Sequence, residues 1–110
     1  MGEEPQDMKG RILKPTELVS YQDGSVVSRM ITYTPQGTTT MFAFAAGSGL
    51  SEHTAPFDAV LQVLEGSAEV TLAGENFQVV SGDMIILPAN IPHAVHATVP
   101  FKMMLTMIHA

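Results

Sequence analysis

Two stretches decide the fold: Gly47-Ser48-Gly49-Leu50-Ser51-Glu52-His53-Thr54-Ala55-Pro56-Phe57-Asp58-Ala59-Val60-Leu61-Gln62-Val63-Leu64-Glu65-Gly66, and Gly82-Asp83-Met84-Ile85-Ile86-Leu87-Pro88-Ala89-Asn90-Ile91-Pro92-His93-Ala94-Val95-His96-Ala97. Each is a run of strand-forming residues opened by glycine, interrupted by proline, and carrying a histidine near the interruption. Glycine and proline break a chain into short extended pieces because one supplies positive φ and the other removes a donor. Gly66 and Gly82 stand at strand ends where such turns are needed, and Asn90 is a residue that tolerates the left-handed region.

Outward from these stretches the pattern continues. Ser25 to Thr34 is rich in β-branched residues and ends at Pro35-Gln36-Gly37, a turn. Thr38 to Ala46 alternates, with Met41, Ala43 and Ala45 expected to face inward and Phe42 and Phe44 outward. Ala68 to Leu72 alternates, Ala73-Gly74-Glu75-Asn76 reads as a hairpin turn, and Phe101 to Ile108 is a final apolar strand. Pro15 to Leu18 suits one helical turn, and no stretch holds a 3.6-residue period over an ordinary helix length. Roughly eight or nine short strands predict an all-β sandwich or barrel, closed so that edges are hidden.

Composition narrows the function classes. A chain of 110 residues has room for one core, and 45% hydrophobic against 15% charged residues excludes disorder. There is no cysteine, so neither disulfides nor thiolate chemistry is available. The net charge of −6 argues against nucleic acid or an anionic membrane surface as a partner. The first ten residues are polar and acidic without the apolar core of a signal peptide, and no apolar run approaches the ~18 residues of a membrane helix. The expected location is the cytoplasm. Residues 1–10 are expected to form a flexible tail and 11–110 the folded domain.

With glycines, His53, Pro88 and His93 in these places, the chain resembles the cupin superfamily. Its first motif runs from a glycine through a His-x-His pair and a glutamate to a closing glycine. Its second runs from a glycine through Pro-x-Gly to a histidine. The resemblance implies a single-domain, all-β cupin jelly-roll β-barrel, with Asn90 in place of a family glycine. It also implies a divalent transition metal (Zn, Ni, Fe, Mn or Cu) inside the barrel. Carried over by position, His53 matches the first histidine and His93 the last, so these two are the candidate metal ligands. Ala55 stands in place of the second histidine and Ala59 in place of the glutamate, and a methyl group ligates nothing. Metal at low occupancy is therefore the expectation, since catalytic zinc usually has three protein ligands and non-haem iron a two-histidine, one-carboxylate face.

Asp58 and Glu52 are the nearest carboxylates, but strand alternation turns Asp58 away from position 59 and Glu52 away from His53. His96 should likewise point opposite to His93. A lone histidine at a barrel mouth is usually a hydrogen-bonded structural residue; two at the family's ligand positions favour a functional pair. The missing ligands leave room for a small-molecule pocket lined by Met41, Ala43, Ala55 and Ala59, with Leu61, Met84, Val95 and Ala97 completing it. Eight methionines would give that pocket an adaptable apolar lining. The expected function is small-molecule binding at a two-histidine, depleted metal site. The alternative is a metal-dependent isomerase, decarboxylase or dioxygenase acting on a small organic acid. Outward apolar side chains (Phe42, Phe44, Val60 and Leu64) predict a twofold homodimer.

Overall fold

The computed structural model describes residues 8–109. Of the expected tail, residues 1–7 lie outside the described residues, while Met8 is buried, so packing begins before Arg11. After a single 3-10 turn at Pro15–Glu17, the described residues form nine strands: β1 (Val26–Thr34), β2 (Gly37–Phe44), β3 (Gly49–His53), β4 (Ala59–Glu65), β5 (Ser67–Leu72), β6 (Glu75–Val80), β7 (Met84–Leu87), β8 (His93–His96) and β9 (Phe101–Ile108). They build a five-stranded sheet ordered β1-β2-β9-β4-β7 and a four-stranded sheet ordered β3-β8-β5-β6, with every pairing antiparallel. This is the jelly roll that the cupin resemblance implies, and the strand spacing predicts its all-β class. Among the described residues no helix is long and apolar enough to cross a membrane.

Turn chemistry explains the connections. The β5–β6 hairpin closes through Ala73 and Gly74, both at positive φ (51° and 82°), the twist that a two-residue hairpin loop needs. Gly66, at φ 76°, passes the chain from β4 to β5. A Cβ there would strike the Pro100 carbonyl oxygen and the Phe101 backbone, so close approach as well as φ demands glycine. Asn90 adopts φ 66°, the left-handed conformation expected of it.

The main core lies between the sheets. Phe44, Leu61, Val63, Val70, Phe101 and Met103 are fully buried there. Phe44 and Phe101 stack with ring centroids 4.4 Å apart. The expected facing of β2 is corrected: Phe42 and Phe44 pack on the interior, whereas Met41 and Ala43 turn outward. There they join Val19 in a second cluster with Val27, Ile31, Leu64 and Met104 around it. The segment before β1 covers this outer cluster. It is held by Arg29 donating to the Leu18 carbonyl (3.3 Å), Lys102 donating to the Thr16 carbonyl (2.7 Å) and the Tyr21 hydroxyl donating to Glu65 (2.5 Å). Phe42, Phe44 and Leu64 are thus spoken for within the chain. The large apolar side chains left exposed on the outer face of the same sheet are Met84, Ile86 and Ile108.

Candidate functional site

The barrel has two ends. At one, which we call the mouth, lie the end of β3, the start of β4, the end of β7 and the start of β8. His53 and His93 are Cα partners across β3 and β8, and the pairing shifts register between Leu50 and His53. Leu50 packs on the interior, so unbroken alternation would turn His53 outward. The irregularity returns it to the side of His93. His93 shares the inward face of β8 with Val95 and is only 6% exposed, while His53 is exposed at the rim and His96 faces solvent.

The two rings meet edge to face with centroids 4.4 Å apart, and their Nε2 atoms are 3.2 Å apart. Each Nδ1 sits against a backbone carbonyl: His53 against Ser51 O at 2.7 Å, His93 against Ile91 O at 3.1 Å. A carbonyl oxygen can only accept, so each contact is satisfied by a proton on Nδ1. The two Nε2 atoms then face one another across that short gap. Burial pushes the His93 pKa below that of an ordinary imidazole; the bond to Ile91 O raises it, and His53 lowers it further. Burial therefore resists a shared proton. The result is two imidazole nitrogens converging at the mouth, one buried and one at the rim.

A separation of 3.2 Å suits neighbouring nitrogen donors on one cation with bonds of about 2.0–2.1 Å. Backbone carbonyls on both Nδ1 atoms are also the outer contacts that orient ligating imidazoles. The donor set stops there. Among the described residues no group of three or more His, Cys, Asp or Glu is placed to hold a metal ion. Ala55 is half-buried, and Ala59 is 4% exposed inside the main core. The residues present fit two positions of a metal's shell and do not complete one.

The other expected pocket residues divide. Ala59, Leu61, Val95 and Ala97 face the interior as packed members of the main core. Met41 and Ala43 belong to the outer cluster, so they are corrected out of the pocket. Met84 is also corrected: it is 59% exposed and lines a cleft of about 250 Å³ with Phe77, Val79, Asp83 and Ile85, at the end of β7 away from the histidines. A second cleft, about 220 Å³, lies at the mouth rim between Pro56, Phe57, Asp58, Ala89 and Ile108. The carboxylate of Asp58, expected to turn away from position 59, accepts the Ala89 N–H at 2.8 Å. Strand alternation gave its direction, but nothing in the sequence marked that partner, which lies 31 residues away.

Comparison with known proteins agrees with this architecture. A conserved protein of unknown function from Streptococcus pyogenes is 31% identical, with a TM-score of 0.86 over 92% of this chain and 89% of that one. A cupin 2 conserved barrel domain protein from Leptotrichia buccalis is 40% identical at a TM-score of 0.82; the match covers 84% of this chain and 45% of that one, so this chain spans about half of its length. A cupin superfamily protein from Desulfitobacterium hafniense, 24% identical, has the same fold at a TM-score of 0.87 over 93% and 94% of the two chains. No curated protein matches the chain. The cupin domain family model matches residues 40–109, the span from β2 through both histidine segments to β9, and the chain belongs to the cupin family.

Proposed function

We propose that this protein binds a small organic molecule at the barrel mouth, with the His53–His93 pair as its polar handle, a metal site reduced to two protein ligands. The observation that carries this reading is the convergence of two Nε2 atoms at 3.2 Å while both Nδ1 atoms are occupied by carbonyls. With both Nδ1 atoms so held, the two converging Nε2 atoms suit a cation or an acidic O–H better than a bare anion. A divalent transition metal held by His53, His93 and oxygen atoms of the bound molecule would supply Lewis acidity there. The chain's own contribution is to orient the two rings, to fix their tautomers through Ser51 and Ile91, and to keep the buried His93 neutral near pH 7.

The test is metal content by mass spectrometry on tag-free protein, then calorimetric titration with Zn²⁺ alone and with Zn²⁺ plus oxalate as a two-oxygen probe. Uptake is expected to be weak with zinc alone and at least tenfold tighter with oxalate present, and both His53→Ala and His93→Ala should abolish it. Zinc and oxalate binding that survives in both variants would sink the reading.

The protein is further proposed to be a twofold homodimer that buries the outer face of the five-stranded sheet around Met84, Ile86 and Ile108, the large apolar residues its own chain leaves exposed. Sedimentation should give twice the 11.8 kDa chain mass at micromolar concentration, falling to the monomer in Ile86→Glu. A monomeric parent would end this proposal.

A further inference from the structure

We propose that Asp58 is a positioning residue for the histidine pair: its carboxylate holds, from across the mouth, the loop that presents His93 to His53. The role rests on the pair being the binding handle, but its evidence is separate. Loop 88–92 does two things for His93. It delivers the residue into β8, and it sets Ile91 O against the ring's Nδ1 at 3.1 Å.

The loop has few bonds of its own with which to hold that shape. Asn90 sits alone in the left-handed region, and the turn bond from Ile91 N–H to Pro88 O is stretched to 3.4 Å. What fixes it comes from outside. Ala89 N–H donates to Asp58 Oδ1 (2.8 Å), Asn90 N–H donates to Ala55 O (2.7 Å), and Pro92 O accepts from Ala73 N–H (2.9 Å). Two of these three come from residues 54–58, the segment that leaves His53. The loops bearing the two histidines are therefore tied directly to each other.

Of the three ties only that of Asp58 is made by a side chain, and a carboxylate on an N–H is the stronger kind of bond. Asp58 is itself anchored. Its carbonyl accepts from Ile108 N–H at 3.3 Å, and the next residue, Ala59, is buried at the start of β4. The force runs from the packed sheet through Asp58 to Ala89, then through Asn90 and Ile91 to the His93 ring. A two-imidazole site tolerates little error in ring placement, so an external brace on the loop matters more than one hydrogen bond elsewhere.

The experiment reads the imidazole ¹⁵N and ¹H resonances of His53 and His93 by NMR in metal-free protein. Asp58→Ala is expected to shift the His93 ring nitrogens and to lose the cross-relaxation between the two rings. Asp58→Asn, which retains an oxygen acceptor, should restore both. Asp83→Ala is the control: it removes a comparable carboxylate bond, to Val80 N–H, at the far end of the barrel, and should leave the ring signals as in the parent. Asp58→Glu keeps the charge but displaces the acceptor. It should shift the His93 nitrogens by less than alanine does, and it keeps the test decisive should the alanine variant not fold. Parent-like ring signals in Asp58→Ala, or in Asp58→Glu if alanine does not fold, would overturn the role whatever happens to the melting temperature. So would equal shifts in Asp83→Ala. A parent that binds neither zinc nor zinc with oxalate would defeat the functional reading, and the ring signals would still decide the role of Asp58.

Discussion

The two ends of the barrel are built on different principles. The end away from the histidines is closed by main chain and large apolar side chains. Gly82 N–H donates to Val63 O, Val63 N–H to Asp83 O, Ser81 N–H to Gly66 O, and Gly47 N–H to Ala97 O, over the stacked rings of Phe44 and Phe101. The mouth has main-chain ties too, from Asn90 to Ala55 and from Ala73 to Pro92, but adds one carboxylate, one left-handed asparagine and two carbonyls holding imidazoles. The stacked, fully buried aromatic pair lies at one end, and the histidine pair lies at the other. Such a division lets the site vary without loss of the fold.

The strongest way to break this contrast is Phe101→Ala. It removes a fully buried ring and half of a stacked pair, and should cost about 4 kcal/mol in denaturant unfolding. Gly66→Ala should follow at about 3 kcal/mol, from a positive φ plus backbone collision with Pro100. At the mouth, Ala73→Asn should stabilise by up to about 1 kcal/mol, because alanine pays for its φ of 51° and asparagine less so. His93→Leu should change stability by no more than about 1 kcal/mol, since an apolar side chain of similar size replaces a buried imidazole. If His93→Leu cost as much as Phe101→Ala, the two ends would not differ as argued.

The smallest effect is a pH dependence. The folded-state pKa of His93 lies below the ordinary value of 6.5, so its contribution to stability is fully present above pH 6.5. It is lost as pH falls from there through the folded pKa, because the unfolded chain takes up the proton first. Unfolding midpoints measured from pH 8 to pH 5 should show this fall in the parent and a shallower one in His93→Leu.

Much of the fold was legible because turn residues are local. Gly66, Asn90 and Ala73-Gly74 announce backbone conformations that few alternatives satisfy. Facing was less legible. Met41-Phe42-Ala43-Phe44 alternates cleanly, yet alternation gives a period and not a sign. Met41 and Ala43 were expected inward, but the phenylalanines fill the interior, and a segment from before β1 makes a second buried face for Met41 and Ala43. The histidine positions came from motif spacing. Their actual encounter depends on a register shift between Leu50 and His53 that no side chain in that stretch advertises. Asp58 was visible as a carboxylate turned away from the site, but its partner Ala89 was not, because a bond to a backbone N–H leaves no trace in residue type.

The burial of Ala59 also sets which substitutions the mouth can absorb. A carboxylate placed there alone would enter a packed apolar cluster with no cation to offset its charge. A histidine at the half-buried Ala55 would meet no such barrier. The two positions are therefore unequal as places to add a polar group, position 55 being the tolerant one.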